Sequence, residues 1–292
     1  MKLFVETASF FNWLKGLSMR YFVLFGLLIF IPPTKAEVIK GFNVSRLSQT
    51  LHILTDVKYN TNIGLVTTKD GVVLIDPMPG KGRLAELMKL IVKIDGQAPS
   101  YILNTHSHED HSGGNAFFIK QGAKLVGSDF KINEIEGITV NSHTSQDEVF
   151  YHKKSNSLFV GDVFDSSWHP TFYAGGLKGF DKAIDHILAL GNEDTRIVPG
   201  HGKPANKESL REFRKHTHNW VAHIRKLSLK GMGISEIMHD DHTVELLNMF
   251  NVENRSPFIP ERAYRMFIKR TLTIISQEWP TNHKPQTTNH KP

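Results

Sequence analysis

The 292-residue chain contains no cysteine. That absence excludes disulfides, a thiolate nucleophile, a thiolate metal ligand and a lipid-modified N-terminal cysteine, although it assigns no compartment. Long apolar runs are scarce. The uncharged stretch at residues 21–31 has eleven members, too few for a bilayer-spanning helix, which needs about 20. Excess charge is scarce as well. The net charge is +6, but Lys2, Lys15, Arg20 and Lys35 face only Glu6 within residues 1–36. The remaining 31 basic and 28 acidic residues leave +3, which argues against a dedicated nucleic-acid surface. What is present, 40% hydrophobic and 22% charged residues, is globular composition at a length that allows one large domain or two small ones.

The N-terminus reads as an export signal. Arg20 precedes the apolar run, and Pro32-Pro33-Thr34-Lys35-Ala36 follows, with small residues at −3 and −1 for a cut after Ala36. This is the secretory signal pattern, compact if translation starts at Met19, with residues 1–18 as an unusual extension. An uncleaved membrane anchor is the alternative. The expected product starts at Glu37, is periplasmic or secreted, and keeps no stable membrane association. At the other end Thr-Asn-His-Lys-Pro stands at 281–285 and again at 288–292, so residues 279–292 read as a disordered polar tail.

Between these ends, residues 37–278 read as one domain. Leu51–Leu54, Asn62–Val66 and Val72–Ile75 predict strands, with a hairpin turn at Lys69-Asp70-Gly71. Leu84, Leu87, Met88 and Ile91 recur at helical spacing and predict a helix over about 82–95. A strand at Tyr101–Asn104, a loop and a helix ending near Gly122 follow. The pattern then repeats with strands at Leu125-Val126, Val149–Tyr151 and Leu158–Val160, a helix through Ile184–Leu190, and a strand at Arg196–Val198. Residues 205–278 read as mostly helical. Two halves of strands followed by helices imply two sheets packed face to face with helices outside.

The loop after Tyr101–Asn104 carries His106-Ser107-His108-Glu109-Asp110-His111. Imidazole and carboxylate suit zinc, and also iron or manganese, and strand-to-helix loops are where scaffolds expose reactive groups. His106 and His108 can share one metal while Asp110 and His111 turn toward a second. Three later residues also sit at strand ends: His143 in Asn141-Ser142-His143-Thr144, Asp162 after Phe159-Val160-Gly161, and His201 in Pro199-Gly200-His201-Gly202.

In this order, these residues resemble the metallo-β-lactamase superfamily over about residues 45–205. The resemblance rests on Val73-Leu74-Ile75-Asp76-Pro77, the T-H-x-H-x-D-H run from Thr105 to His111, Gly113-Gly114, Gly161-Asp162 and Pro199-Gly200-His201-Gly202. It implies an α+β four-layered αββα sandwich. It also implies that His106, His108 and His143 hold one zinc, that Asp110, His111 and His201 hold the second, that Asp162 bridges them, and that Asp76 supports the histidine loop. The best-known zinc β-lactamases have Cys or Ser where Asp162 falls, whereas hydroxyacylglutathione hydrolases and lactonases place a bridging Asp there. Gly161-Asp162-Val163-Phe164 with His169-Pro170 looks most like the secreted zinc hydrolases of the quinoprotein relay-system subgroup.

One region departs from the family pattern. Ser142 and Ser145 stand where relatives usually carry glycine, and only 31 residues separate His111 from His143. His152 is the rival ligand, within the strand pattern at Val149–His152. His216, His218 and His223 read as a solvated helix face, and His239-Asp240-Asp241-His242 lacks apolar strand context. Trp168, His169 and Tyr173 either line the pocket or pack the loop.

The resemblance implies a hydrolase in which two zinc ions lower the pKa of a shared water from 15.7 toward about 7, with Asp110 as the catalytic residue that orients the hydroxide and passes a proton to the leaving group. The substrate is a small molecule with a thioester, lactone or similar acyl bond. A β-lactamase is the close alternative, and a metal-binding accessory factor for a secreted quinoprotein dehydrogenase is the alternative from another class. A nuclease fits poorly, given the modest charge. Expression of the full chain in a Gram-negative host should yield a periplasmic product whose intact mass begins at Glu37; a membrane-bound product retaining residues 1–36 would establish the anchor instead.

Overall fold

The computed structural model describes residues 37–39, 41–56 and 60–280, all within the unit Thr34–Pro292. The leader expected over 1–36 and residues 281–292 of the expected tail lie outside the described residues. The first half runs β1 (Glu37–Ile39), β2 (Phe42–Ser48), β3 (Leu51–Asp56), β4 (Asn62–Thr68), β5 (Gly71–Ile75), α1 (Leu84–Asp95), β6 (Tyr101–Leu103), α2 (Glu109–Ser112), α3 (Asn115–Lys120) and β7 (Lys124–Leu125). These strands form one seven-stranded sheet in sequence order. β5, β6 and β7 pair in parallel because a helical crossover separates each from the next.

The second half runs β8 (Ile135–Val140), β9 (Asp147–His152), β10 (Ser157–Gly161), α4 (Gly176–Ala189), β11 (Arg196–Pro199) and β12 (Ala205–Asn206). Its five-stranded sheet has the order β12-β11-β10-β9-β8, with β10 and β11 parallel across the α4 crossover. Four helices close the chain: α5 (Lys207–Leu229), α6 (Ile234–Met238), α7 (Asp241–Asn248) and α8 (Glu261–Glu278).

The period-2 alternation of strands separates three hydrophobic layers. On β5, Val72 and Leu74 join Leu87, Leu90, Ile91 and Phe118 of α1 and α3, while Val73 and Ile75 face the other sheet's Phe150, Phe159 and Val198. On the second sheet, Leu158, Val160 and Ile197 face away from that interface and pack with α4, α5 and α8 through Phe180, Ile184, Trp220 and Phe267. Helix, sheet, sheet and helix are therefore stacked as four layers, the αββα arrangement expected from the sequence.

Some elements depart from the sequence reading. β2 and β8 were not expected because their exposed and half-buried positions dilute the apolar pattern. The histidine loop itself closes into the helical turn α2, and α1 begins at Leu84 rather than 82. Trp279, which the sequence reading assigned to the tail, packs against the helical layer under the Arg225 guanidinium, 5.4 Å from its ring centre.

Gly64 lies where the two sheets pack closely, for a Cβ there would stand 2.5 Å from Phe159 Cε1 and 3.1 Å from Ile75 Cβ. Gly64→Ala should therefore cost about 1–3 kcal/mol by overpacking, read as a lower denaturant midpoint with unchanged slope. Wild-type stability in that variant would contradict the inter-sheet packing.

Candidate metal centre

The strand ends of both sheets converge at one rim of the sandwich. β6 leads into His106 and His108, α2 carries Asp110 and His111, the β8–β9 loop carries His143, β10 ends before Asp162 and β11 before His201. His106 sits at a bend just after β6, and His108, in extended backbone, precedes α2. Asp110 and His111 then fall in α2, where the His108 carbonyl accepts from the amides of His111 (3.0 Å) and Ser112 (2.9 Å). That turn swings them toward a second position.

All seven side chains named from the sequence come together. Nε2 of His106 and Nε2 of His143 lie 3.0 and 2.9 Å from Nδ1 of His108. Asp110 Oδ2 stands 3.3 Å from His201 Nε2 and 3.8 Å from His111 Nε2. Asp162 lies between the two groups. Its Oδ2 faces His143 Nε2 (3.6 Å) and His106 Nε2 (3.9 Å), while its Oδ1 faces His111 Nε2 (3.3 Å) and His201 Nε2 (3.8 Å). The rival His152 is elsewhere, fully buried with Nδ1 2.7 Å from Ser155 Oγ.

The outer ring nitrogens fix the inner ones. His143 Nδ1 meets the Thr171 carbonyl at 3.0 Å and His201 Nδ1 meets the Asn60 carbonyl at 3.1 Å. A carbonyl only accepts, so each Nδ1 donates and each Nε2 is directed into the cluster. His111 Nδ1 donates to Asp76 Oδ2 at 3.0 Å. Asp76 also accepts from the Thr105 amide (2.8 Å) and hydroxyl (2.6 Å), and that hydroxyl oxygen in turn takes His106 Nδ1–H at 3.2 Å. Asp76 adopts a left-handed φ of 53°, backbone strain that is retained where the surroundings over-determine a conformation.

Several supporting residues carried no signal in the sequence. Thr61 Oγ1 donates to the Asp110 carbonyl at 2.8 Å. Asn62 Nδ2 reaches the carbonyls of Pro199 (3.0 Å) and Gly202 (2.7 Å), holding the His201 loop. Thr171 Oγ1 donates to the Asp162 carbonyl at 3.0 Å. Ordinary threonines and asparagines gain these roles only through long-range contacts. Gly200 has a clearer reason, because a Cβ there would collide with Asp162 Oδ1.

The remaining polar clusters resolve as packing or surface pairs. His169 is buried and stacked on Phe267, 4.1 Å between ring centres, so it packs the loop rather than lining the site. Tyr173 is 6.5 Å from the His143 ring. His218 and His223 are not simply solvated, since they pair with Asp181 and Asp240 at 2.7 Å each, and Asp240 also caps α7.

Does this cluster fit a metal? His111 Nε2 and Asp162 Oδ1 are buried without a hydrogen-bond partner; they stand 3.3 Å apart but are not aligned to bond. Buried polar atoms without partners are costly, and here they face each other across a set of imidazole and carboxylate donors. Three groups of three donors lie with their ligand atoms within 4.8 Å of one another: His106, His108 and His143; His106, His111 and Asp162; and Asp110, His111 and His201. The residues fit a pair of divalent ions. A cleft beside His106 is bounded by Asn104, Ser107, Thr144 and Gln146 together with Leu125 and Val126.

Electrostatics favour cations at both positions. Burial, followed by the nearby His111, lowers His106 to about 3, so its lone pair stays available. The hydrogen bond from His201 holds Asp110 down at about 2. Burial pushes the Asp162 carboxyl up, but His111 and the other imidazoles outweigh it and hold it far below the usual carboxylate range. Burial likewise opposes the charged forms of His111 and His201. The Asp76 and Asp162 charges nevertheless raise His111, and Asp110 with Asp162 raise His201 to about 9.

A pH dependence follows. The His201 proton stabilises the metal-free fold fully below its ordinary value of 6.5, and that contribution is lost as pH rises through about 9. Metal must displace the same proton. Metal-free protein should lose thermal stability from pH 6.5 to 9 while zinc affinity rises, and His201→Asn should flatten the stability trend. Affinity that falls with pH over this window would contradict the assignment.

The comparisons agree with this geometry. The profile of the metallo-beta-lactamase superfamily matches residues 57–128. A probable hydroxyacylglutathione hydrolase of Schizosaccharomyces pombe is 34% identical over 122 residues, covering 35% of this chain and 47% of that protein, so the chain spans about half the length of this relative. A metallo-β-lactamase of Chryseobacterium indologenes is 24% identical over 267 residues, 79% of this chain and 98% of the relative. Among solved structures, a metallo-β-lactamase from Pontibacter korlensis superposes with a TM-score of 0.52 at 22% identity, over 60% of this chain and 97% of that one. One from Erythrobacter litoralis gives 0.54 at 12% identity, over 62% and 98%; at such identities the likeness concerns the fold. With the four-layered sandwich and the convergent histidines and aspartates, the chain has the metallo-β-lactamase fold and matches the profile of that superfamily over residues 57–128.

Proposed function

We propose that the protein is a dinuclear zinc-dependent hydrolase of an acyl bond, a thioester or lactone in preference to a β-lactam. The observation that carries this reading is the division of the Asp162 carboxylate, one oxygen toward His106 and His143 and the other toward His111 and His201. His106, His108 and His143 would hold the first ion, Asp110, His111 and His201 the second, with Asp162 shared; iron or manganese would suit the same donors. When bound, the metal pair supplies Lewis acidity that activates water near neutral pH and polarises the substrate carbonyl.

The chain's own residues do the rest. Asp110 has a half-exposed carboxylate, 41% accessible, and is anionic at physiological pH. It is placed to orient the attacking water and to return a proton to the leaving group. No nucleophilic side chain is required. The cleft beside His106, with both polar and apolar lining, suits a small-molecule substrate.

Asp162 in place of Cys or Ser supports the thioester or lactone reading, as does the relative named as a hydroxyacylglutathione hydrolase. The fuller coverage of the relatives named as metallo-β-lactamases favours β-lactam opening as the second reading. The complete donor set argues against a purely accessory role beside a quinoprotein dehydrogenase. We place the mature protein in the periplasm or outside the cell on the leader pattern alone; no helix among the described residues is long and apolar enough to cross a membrane.

Elemental analysis of dialysed protein should find two zinc ions per chain. Zinc-loaded protein should turn over acyl thioesters or lactones faster than a chromogenic cephalosporin or a phosphodiester. Asp110→Ala should lose one ion and reduce turnover by about 10²–10⁴-fold. At most one ion in wild type would remove the dinuclear reading, and preferential cephalosporin cleavage would replace the substrate class.

A further inference from the structure

The turn that presents His143 raises a question of its own. It lacks the glycines usual in the family, yet neither Ser142 nor Ser145 takes a positive φ. The turn holds its shape by another device. Val140 and Asp147 are paired across the end of the β8–β9 ladder, which leaves only residues 141–146 to form the turn. Asp147 is 2% exposed, and its carboxylate lies beneath that turn. Oδ2 accepts from the Ser142 amide at 3.1 Å and the Thr144 amide at 3.0 Å; Oδ1 accepts from the Thr144 amide at 3.0 Å and from its hydroxyl at 2.6 Å. The amides on both sides of His143 are therefore tied to one buried side chain.

The outer side of the turn is held separately. The Ser142 carbonyl accepts from the amides of Ala174 (3.1 Å) and Gly175 (3.0 Å), and the Thr171 carbonyl takes His143 Nδ1–H. Those contacts come from the segment that follows Asp162, so they fasten His143 to the shared carboxylate. Asp147 supplies the complementary hold from within the second sheet. It is a carboxylate satisfied by backbone donors, the arrangement that most strongly fixes a loop.

We propose that Asp147 is the positioning residue of the first metal site, setting the turn that brings His143 Nε2 beside His106 Nε2 and His108 Nδ1. It acts through the backbone of Ser142 and Thr144 and holds no metal itself. The inference rests on the metal assignment above and adds site selectivity: the Asp110, His111 and His201 group is held by Thr61, Asn62 and Asp76, which do not depend on Asp147.

Asp147→Asn preserves shape but replaces one acceptor oxygen with a donor, so that either the Ser142 amide or the Thr144 hydroxyl loses its acceptor. Cobalt(II) titration of metal-free protein, followed by ligand-field absorption and chelator competition, reads the two sites separately once His143→Ala identifies the first-site signal. Asp147→Asn should weaken the first site by about 10–100-fold, the range for partners that orient ligands, and leave the second within about twofold. Thr144→Val, a gentler change that removes only the hydroxyl donor, should weaken the same site in the same direction. In metal-free Asp147→Ala, which removes both acceptor oxygens, the Thr144 amide should exchange with solvent about tenfold faster than in wild type. Unchanged first-site affinity, equal weakening of both sites, or an unaltered Thr144 exchange rate would overturn the proposal. Wild type with a single metal site would instead overturn the dinuclear reading, and the exchange measurement would still judge the hold of Asp147 on the turn.

Discussion

The Asp162 carboxylate is the constraint around which the rim of the sandwich is arranged. It is nearly buried, with a 13% accessible side chain, and its two oxygens address different histidine groups. A buried carboxylate is tolerable only when positive charge or donors surround it. Here four imidazoles converge on it. The surrounding backbone leaves it no other place. Gly200 passes so close that any side chain would displace Oδ1, and the Thr171 hydroxyl holds the Asp162 carbonyl.

From that centre the supporting contacts extend into both sheets. Asp76, at the end of β5, sets His111 directly and His106 through the Thr105 hydroxyl. Asn62, at the start of β4, anchors the His201 loop, while Asp147, at the start of β9, grips the His143 turn. The first sheet thus supports His106, His108, Asp110 and His111, and the second contributes His143, Asp162 and His201. The inter-sheet core that includes Phe159 and Ile75 fixes the two sets of donors relative to each other. Packing in the sandwich and geometry at the rim are parts of one problem, since a donor set displaced by an ångström no longer converges.

The sequence revealed the donors because their chemistry is unusual and local. Three histidines and an aspartate within six residues have few other uses, and His143, Asp162 and His201 each follow or precede a recognisable strand. Strands that are short, largely buried apolar runs, β3, β4, β5 and β10, were legible as well. The half-exposed edge strands β2 and β8 were not, because little of their surface is committed to a core. Nor were Thr61, Asn62 and Thr171, whose roles depend on neighbours 49, 137 and 9 residues away in the chain. Asp147 shows the limit most clearly. Its residue type at a strand start is unremarkable, and only the folded turn shows that it replaces glycine as the means of presenting His143.

The central claim is that one carboxylate serves two metal positions. Crystals of zinc-loaded protein, measured on both sides of the zinc absorption edge, test it most directly. The account predicts two anomalous peaks, one beside each oxygen of Asp162, the first among His106, His108 and His143 and the second among Asp110, His111 and His201. A single peak, or two peaks of which only one touches Asp162, would contradict it.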